Sequence, residues 1–207
     1  MYTFNSEDLT SEKSLWDVFK LSLNIEPSNI QFSILTITAL LLYSNAFFLE
    51  DDISILLKNV REWAKMGFDF SITTLGFLIT GFTIFATLAK PKMLLTMMEH
   101  YNKKYKMPTL KYNLIVFMKV FIGYISLSII YILIIVLGQE GGFISNLFSS
   151  FVMINQYKIC IIKFSYVFIG TSFMYLLLLL KNFIFNIYAT IMTFLRWEYI
   201  NESLENK

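Results

Sequence analysis

Apolar and polar positions repeat along this chain on two scales. On the long scale, apolar runs recur near 29–49, 69–89, 112–138 and 159–181, each about twenty residues or longer, the length a helix needs to cross about 30 Å of hydrocarbon. On the short scale, the segments between them place apolar side chains at steps of three and four and charged ones on the remaining positions, which is helical spacing. The pattern predicts an all-α polytopic membrane protein. It has four transmembrane helices, short amphipathic interfacial helices and a long cytoplasmic extension of the fourth helix. The division is an amphipathic tail over 1–28, a transmembrane domain over 29–184, and a helical extension and tail over 185–207.

The second run organises the rest. Thr73, Gly76, Thr80, Thr83 and Thr87 recur at spacings of three and four and so project from one side, with Phe77, Leu78, Phe82 and Phe85 on the other. A span gains nothing by turning hydroxyls to lipid, whereas small residues let a second helix approach closely. The stripe therefore predicts a helix inside an assembly. Two uses stay open: helix packing, within or between subunits, and the lining of a pore. The pore requires several copies, because the core of one four-helix bundle is too tight to conduct.

The connecting segments carry their own pattern. Leu15, Trp16, Phe19 and Leu23 give an amphipathic helix over Ser11 to Asn24 at the membrane surface, stopped before Pro27. Asn45, near the outer end of the first span, can reach water. Glu50, Asp51 and Asp52 end that span and can cap a helix over 53–68, which lies flat on the outer leaflet or packs over the bundle. From Lys92 to Lys106, Leu94, Met97, Met98, Tyr101 and Tyr105 share one helical face, and Pro108 ends the helix. Its lysines, Lys92, Lys103, Lys104 and Lys106, with Lys111 beyond, suit anionic lipid headgroups or a partner's surface. Lys119 lies about 10 Å inside the third span at 1.5 Å per residue; it either lifts its ammonium to the interface or is an inward-facing charge. Residues 138–158 predict an interfacial or re-entrant helix after Gly138, Gly141 and Gly142. The fourth helix meets no breaker after Gly170 and runs from 159 to about 200, roughly 60 Å. Beyond Lys181, Asn182, Asn186, Thr193 and Arg196 mark a face for bundling with copies of itself or for receiving a soluble partner.

Composition narrows the function. Hydrophobic residues are 56% of the 207 and charged ones 15%, which leaves no room for a separate globular domain. One cysteine, Cys160, and one histidine, His100, make no disulfide, metal set or nucleophile pair. No glycine-rich phosphate loop and no paired carboxylates inside the spans are present. The expectation is a non-enzymatic chain without cofactor or metal, and without direct nucleic-acid binding. The acidic amino terminus predicts no cleaved signal peptide. Both tails and the middle loop hold eleven lysines and arginines, against five in the other two loops, so both termini are expected in the cytoplasm.

The whole layout, with the stretch GFLITGFTIFATLAKPKM from Gly76 to Met93 and the lysine loop after it, resembles the membrane subunits of bacterial anti-phage defence systems, that of the Kiwa system in particular. The likeness covers the full length and rests on architecture. It implies a homo-oligomeric inner-membrane sensor or scaffold that holds a soluble, DNA-binding effector on the cytoplasmic face. The alternative is a homo-oligomeric pore that depolarises the membrane through the threonine stripe.

Overall fold

The computed structural model describes residue 4 and residues 6–25, 27–139 and 155–205. Among these, all long elements are helices, and the one strand pair is two residues on each side.

After a 3-10 turn, Ser6–Thr10, helix α1 covers Leu15–Leu23. It starts where the Ser14 hydroxyl accepts the Asp17 N–H and the Asp17 carboxylate accepts the Ser14 N–H, a reciprocal cap. The Ser14 hydroxyl also holds the Asp17 carboxyl below the usual aspartate range. Helix α2, Asn29–Ser44, has the same cap built from Ser28 and Gln31 and ends in a π turn, Asn45–Leu49. Its Ile30, Ile37, Leu40 and Leu41 are exposed, as side chains facing lipid are.

Helix α3 runs unbroken over Ile53–Leu88. The segment over 53–68 is thus no separate helix but is continuous with the second span, because no proline or strong breaker intervenes. Asp52 caps it by accepting the Ser54 N–H at 2.9 Å and the Ser54 hydroxyl at 2.5 Å, contacts that lower its pKa. Gly67 sits inside α3 because a Cβ there would meet the Tyr131 ring at 2.7 Å.

Helix α4 covers Pro91–Glu99, shorter than the helix to Lys106 that the pattern predicts. The Asn102 side chain accepts the N–H groups of Lys104 and Tyr105, an alternative to helical bonding that asparagine offers. Strand β1, Tyr101–Asn102, then pairs antiparallel with β2, Met107–Pro108, around a turn in which Lys106 takes φ 51°. Helix α5 covers Thr109–Leu137 and helix α6 covers Asn155–Glu205. At 51 residues, α6 is about 75 Å long. The expected interfacial or re-entrant helix over 138–158 falls largely on 140–154, outside the described residues.

Four helical stretches are long and apolar enough to cross a membrane: Asn29–Leu49, Ile53–Thr87, Thr109–Leu137 and Tyr157–Ile200. The chain is an all-α, four-span, multi-pass membrane protein.

It divides into two compact units, and α3, α5 and α6 each contribute a segment to both. The first comprises Met1–Glu26, Gly76–Ile122 and Leu179–Lys207; the second comprises Pro27–Leu75 and Gly123–Leu178. The first unit packs a run of aromatic rings, with Phe85 against Phe117 at 5.2 Å and Phe117 against Phe183 at 5.5 Å. Beside them lies a cluster of Met93, Met97, Met98 and Leu110, covered by Phe4 and Trp197. In the second unit Tyr124, Tyr131, Ile169 and Leu176 are wholly buried. There Tyr124 donates to the Leu176 carbonyl at 2.9 Å. Ser172 has given its hydrogen to the Ile169 carbonyl, so Tyr131 donates to Ser172 at 2.8 Å. Asn45 does not reach outward to water but donates to the Tyr166 hydroxyl at 2.9 Å, beneath Trp63 stacked on the same ring.

Candidate functional site

The first unit gathers most of the polar side chains that the sequence singles out. On α5, Thr109, Asn113, Val116 and Phe117 fall at helical spacing on one face. On α6, Asn186, Ala189, Thr190 and Thr193 do the same. With Met97 of α4 these two faces enclose a cavity of about 210 Å³. Three of its hydroxyls are satisfied by backbone: Thr109 donates to the His100 carbonyl, Thr190 to that of Asn186 and Thr193 to that of Ala189. The carboxamides of Asn113 and Asn186 are different. Among the described residues neither makes a side-chain hydrogen bond, although each can give two and accept two. No charged side chain lines the space.

The predicted face on α6 is therefore split. Asn186 and Thr193 line the cavity, Asn182 is half-buried, and Arg196 is exposed. Asn113 is not among the polar residues that the sequence singles out, because it stands alone in an apolar run. The one mark it carries is its position four residues after Thr109, at the polar end of an apolar helix.

The lysines separate in the same way. Lys92, Lys103, Lys104 and Lys106 are exposed, the last three carried on the hairpin turn instead of a helix face. The turn is braced by Tyr101, whose hydroxyl donates to the Lys106 carbonyl, and Lys104 lies 5.0 Å from the Tyr105 ring. Lys111 does not belong to this surface. Its ammonium is 2.9 Å from the Glu12 carboxylate, both largely covered, and also reaches Ser11. Partial burial pushes the Glu12 carboxyl up, but Lys111 and Ser11 more than offset this and hold it below the usual glutamate range. Lys119 is half-buried and donates to the Ile25 carbonyl just past α1. Ile25 itself is buried with Met107 and Ile115. Two lysines of α5 thus fasten the amino-terminal segment to the first unit. Leu15, Trp16 and Leu23 of α1 stay exposed on the other side, an apolar face suited to a membrane surface.

No family model, curated protein or solved structure matches this chain.

The threonine stripe of α3 lies on both units and is outward-facing throughout. Thr73, Gly76, Thr80, Thr83 and Thr87 are all exposed, and a Cβ at Gly76 would meet nothing within 4 Å. Thr80, Thr83 and Thr87 donate to carbonyls of their own helix. The buried side of the helix carries Ser71, Thr74, Leu78 and Phe85. Of the phenylalanines expected opposite the stripe, Phe77 is exposed and Phe82 half-buried. Among the described residues, no group of three histidine, cysteine, aspartate or glutamate side chains could hold a metal ion.

Proposed function

We propose that this chain is a non-enzymatic, homo-oligomeric membrane scaffold or sensor whose first unit recruits a soluble effector on the cytoplasmic face. The observation that carries the reading is the hairpin turn at 101–108, which holds Lys103, Lys104 and Lys106 exposed on a braced support while Lys111 is spent on an internal ion pair. A fixed array of cations suits an acidic protein surface and steers its approach. Self-association is supported by the exposed threonine and glycine stripe of α3, which is the kind of surface over which membrane helices pack. The setting in anti-phage defence follows from the layout's resemblance to the Kiwa membrane subunits, as do the bacterial inner membrane and a DNA-binding partner.

The test is co-purification in gentle detergent from the native host. Lys103→Glu, Lys104→Glu and Lys106→Glu together should lower recovery of a stoichiometric soluble partner at least tenfold. Undiminished recovery overturns the docking surface. The exposed stripe equally supports a pore built from several copies. Under that alternative, Thr80→Leu with Thr83→Leu should abolish ion flux into liposomes while the complex keeps its mass, and unchanged flux removes it.

A further inference from the structure

Within the second unit, contacts fix which residues of the four helices share a level. A Cβ on Gly67 of α3 would meet the Tyr131 ring of α5, and a Cβ on Gly170 of α6 would meet both Trp63 of α3 and Leu42 of α2. Phe70 of α3 packs on Phe173 of α6 at 5.3 Å. Tyr131 lies inside the run 120–139, Leu42 inside 27–49, and Gly170 and Phe173 inside 164–180, and none of these runs holds a charged residue. At the same levels α3 carries Glu62, Lys65 and Asp69, all exposed. Lys65 and Asp69 stand two positions either side of Gly67, about 3 Å along the axis. A bilayer that covers the apolar lengths of α2, α5 and α6 therefore covers Lys65 and Asp69 as well. These charges form one side of the helix. Lys58, Glu62, Lys65 and Asp69 recur at steps of four, three and four and alternate in sign, opposite a buried face of Leu56, Val60, Ala64 and Ser71. Glu62, Lys65 and Asp69 line an open hollow with Met66, Phe70 and Thr73, and all six belong to α3. Lys58 and Glu62 approach to 3.9 Å, whereas Lys65 and Asp69 have no ion pair or hydrogen bond among the described residues. Charged side chains at bilayer depth pair with one another or face water; they do not face lipid.

We propose, on the footing that the chain self-associates as inferred above, that this face of α3 is the contact between two copies, with Lys65 of each copy paired to Asp69 of the other. Charge complementarity selects a second copy as the occupant. Copies inserted in the same direction bring like levels of α3 together, and the alternation in sign then sets each cation one turn from its neighbour's anion, as flanking charges are set in parallel coiled coils. A twofold arrangement makes the pair twice. Away from water such a charge-assisted bond is strong, and reversing one member strands the other without a partner. Thr73 continues the same side of the helix into the threonine stripe.

Two full-length copies with different tags are co-expressed, extracted in gentle detergent and captured through one tag, and the other copy is counted. Lys65→Glu in both copies should lower recovery of the second copy about tenfold or more, and Asp69→Lys in both should do the same. Lys65→Glu in one copy with Asp69→Lys in the other should restore recovery to within about twofold of the wild type, because each reversed residue then meets its complement across the contact. A pair made within one chain predicts no such rescue. A second measurement works in intact membranes and needs no charge reversal. Lys65→Cys in one copy and Asp69→Cys in the other, both with Cys160→Ser, should cross-link through a short thiol reagent. Recovery that survives Lys65→Glu and Asp69→Lys in both copies overturns the proposal and leaves self-association through another surface standing. Failure of the rescue together with absence of the cross-link overturns it as well. A wild type that captures no second copy removes self-association itself, and this contact with it.

Discussion

The two units use their polar side chains differently. In the second, three of them bond between helices, Tyr124 to the Leu176 carbonyl, Tyr131 to Ser172 and Asn45 to Tyr166, while the buried Thr171 hydroxyl has no partner among the described residues. In the first, two asparagine carboxamides face a cavity and make no such bond among the described residues, while the lysines divide into a pair that fastens the amino terminus and a set left exposed. A polar group inside a helix bundle has a high cost unless it is satisfied. The second unit is thus cross-braced between helices at Tyr124, Tyr131 and Asn45, and the first has carboxamides with bonding capacity left beside a cavity.

That contrast can be broken by substitution. The largest effect should come from Tyr131→Ala, which empties a site of zero exposure and should cost about 3–5 kcal/mol, seen as a lower detergent-unfolding midpoint of the purified protein. Gly67→Val should cost roughly 1–3 kcal/mol by the same assay, because the new side chain collides with the Tyr131 ring. If Gly67→Val is neutral, the packing of α3 on α5 is looser than drawn. Lys111→Met should cost about 1 kcal/mol, the worth of a single partly covered ion pair, and should quicken proteolysis of residues 1–26 while leaving the second unit resistant. The same pair sets a pH dependence. Glu12 titrates below the ordinary 4.5 when folded, so its contribution is present above about pH 4.5 and is lost as pH falls through the lower, folded value. Protection of the amino terminus should fall over that range in the wild type and show no such step in Lys111→Met. The smallest effect should be that of Asn113→Leu with Asn186→Leu, within about 0.5 kcal/mol, because no bond is lost. A loss as large as that of Tyr131→Ala would make the carboxamides structural and erase the distinction between the units.

The sequence shows the four spans and the long last helix because both are written in apolar run length, which the membrane enforces residue by residue. What it conceals depends on pairings far apart in the chain. Lys111 looks like part of a basic surface until Glu12, 99 positions away, is placed beside it. Asn45 reads as an interfacial amide because its acceptor, Tyr166, lies on another helix. The hairpin at 101–108 is missed for a local reason: Tyr101 and Tyr105 keep helical spacing with Leu94 and Met98, and the Asn102 side chain overrides that periodicity. Asn186 and Thr193 are legible as a face of α6, but the face of α5 opposite them is not, since Asn113 stands alone in an apolar run.

The bond from Lys119 to the Ile25 carbonyl joins residues 94 positions apart, and that separation has a consequence for synthesis. At about 5–20 residues per second, roughly 5–20 s must pass after Ile25 is made before Lys119 exists. For that interval the amino-terminal helix has no anchor on the chain, and its exposed Leu15, Trp16 and Leu23 are open to chaperones, proteases and lipid. The first thirty residues are made first and fastened late, so a fault in inserting the third span should surface as degradation of the amino terminus.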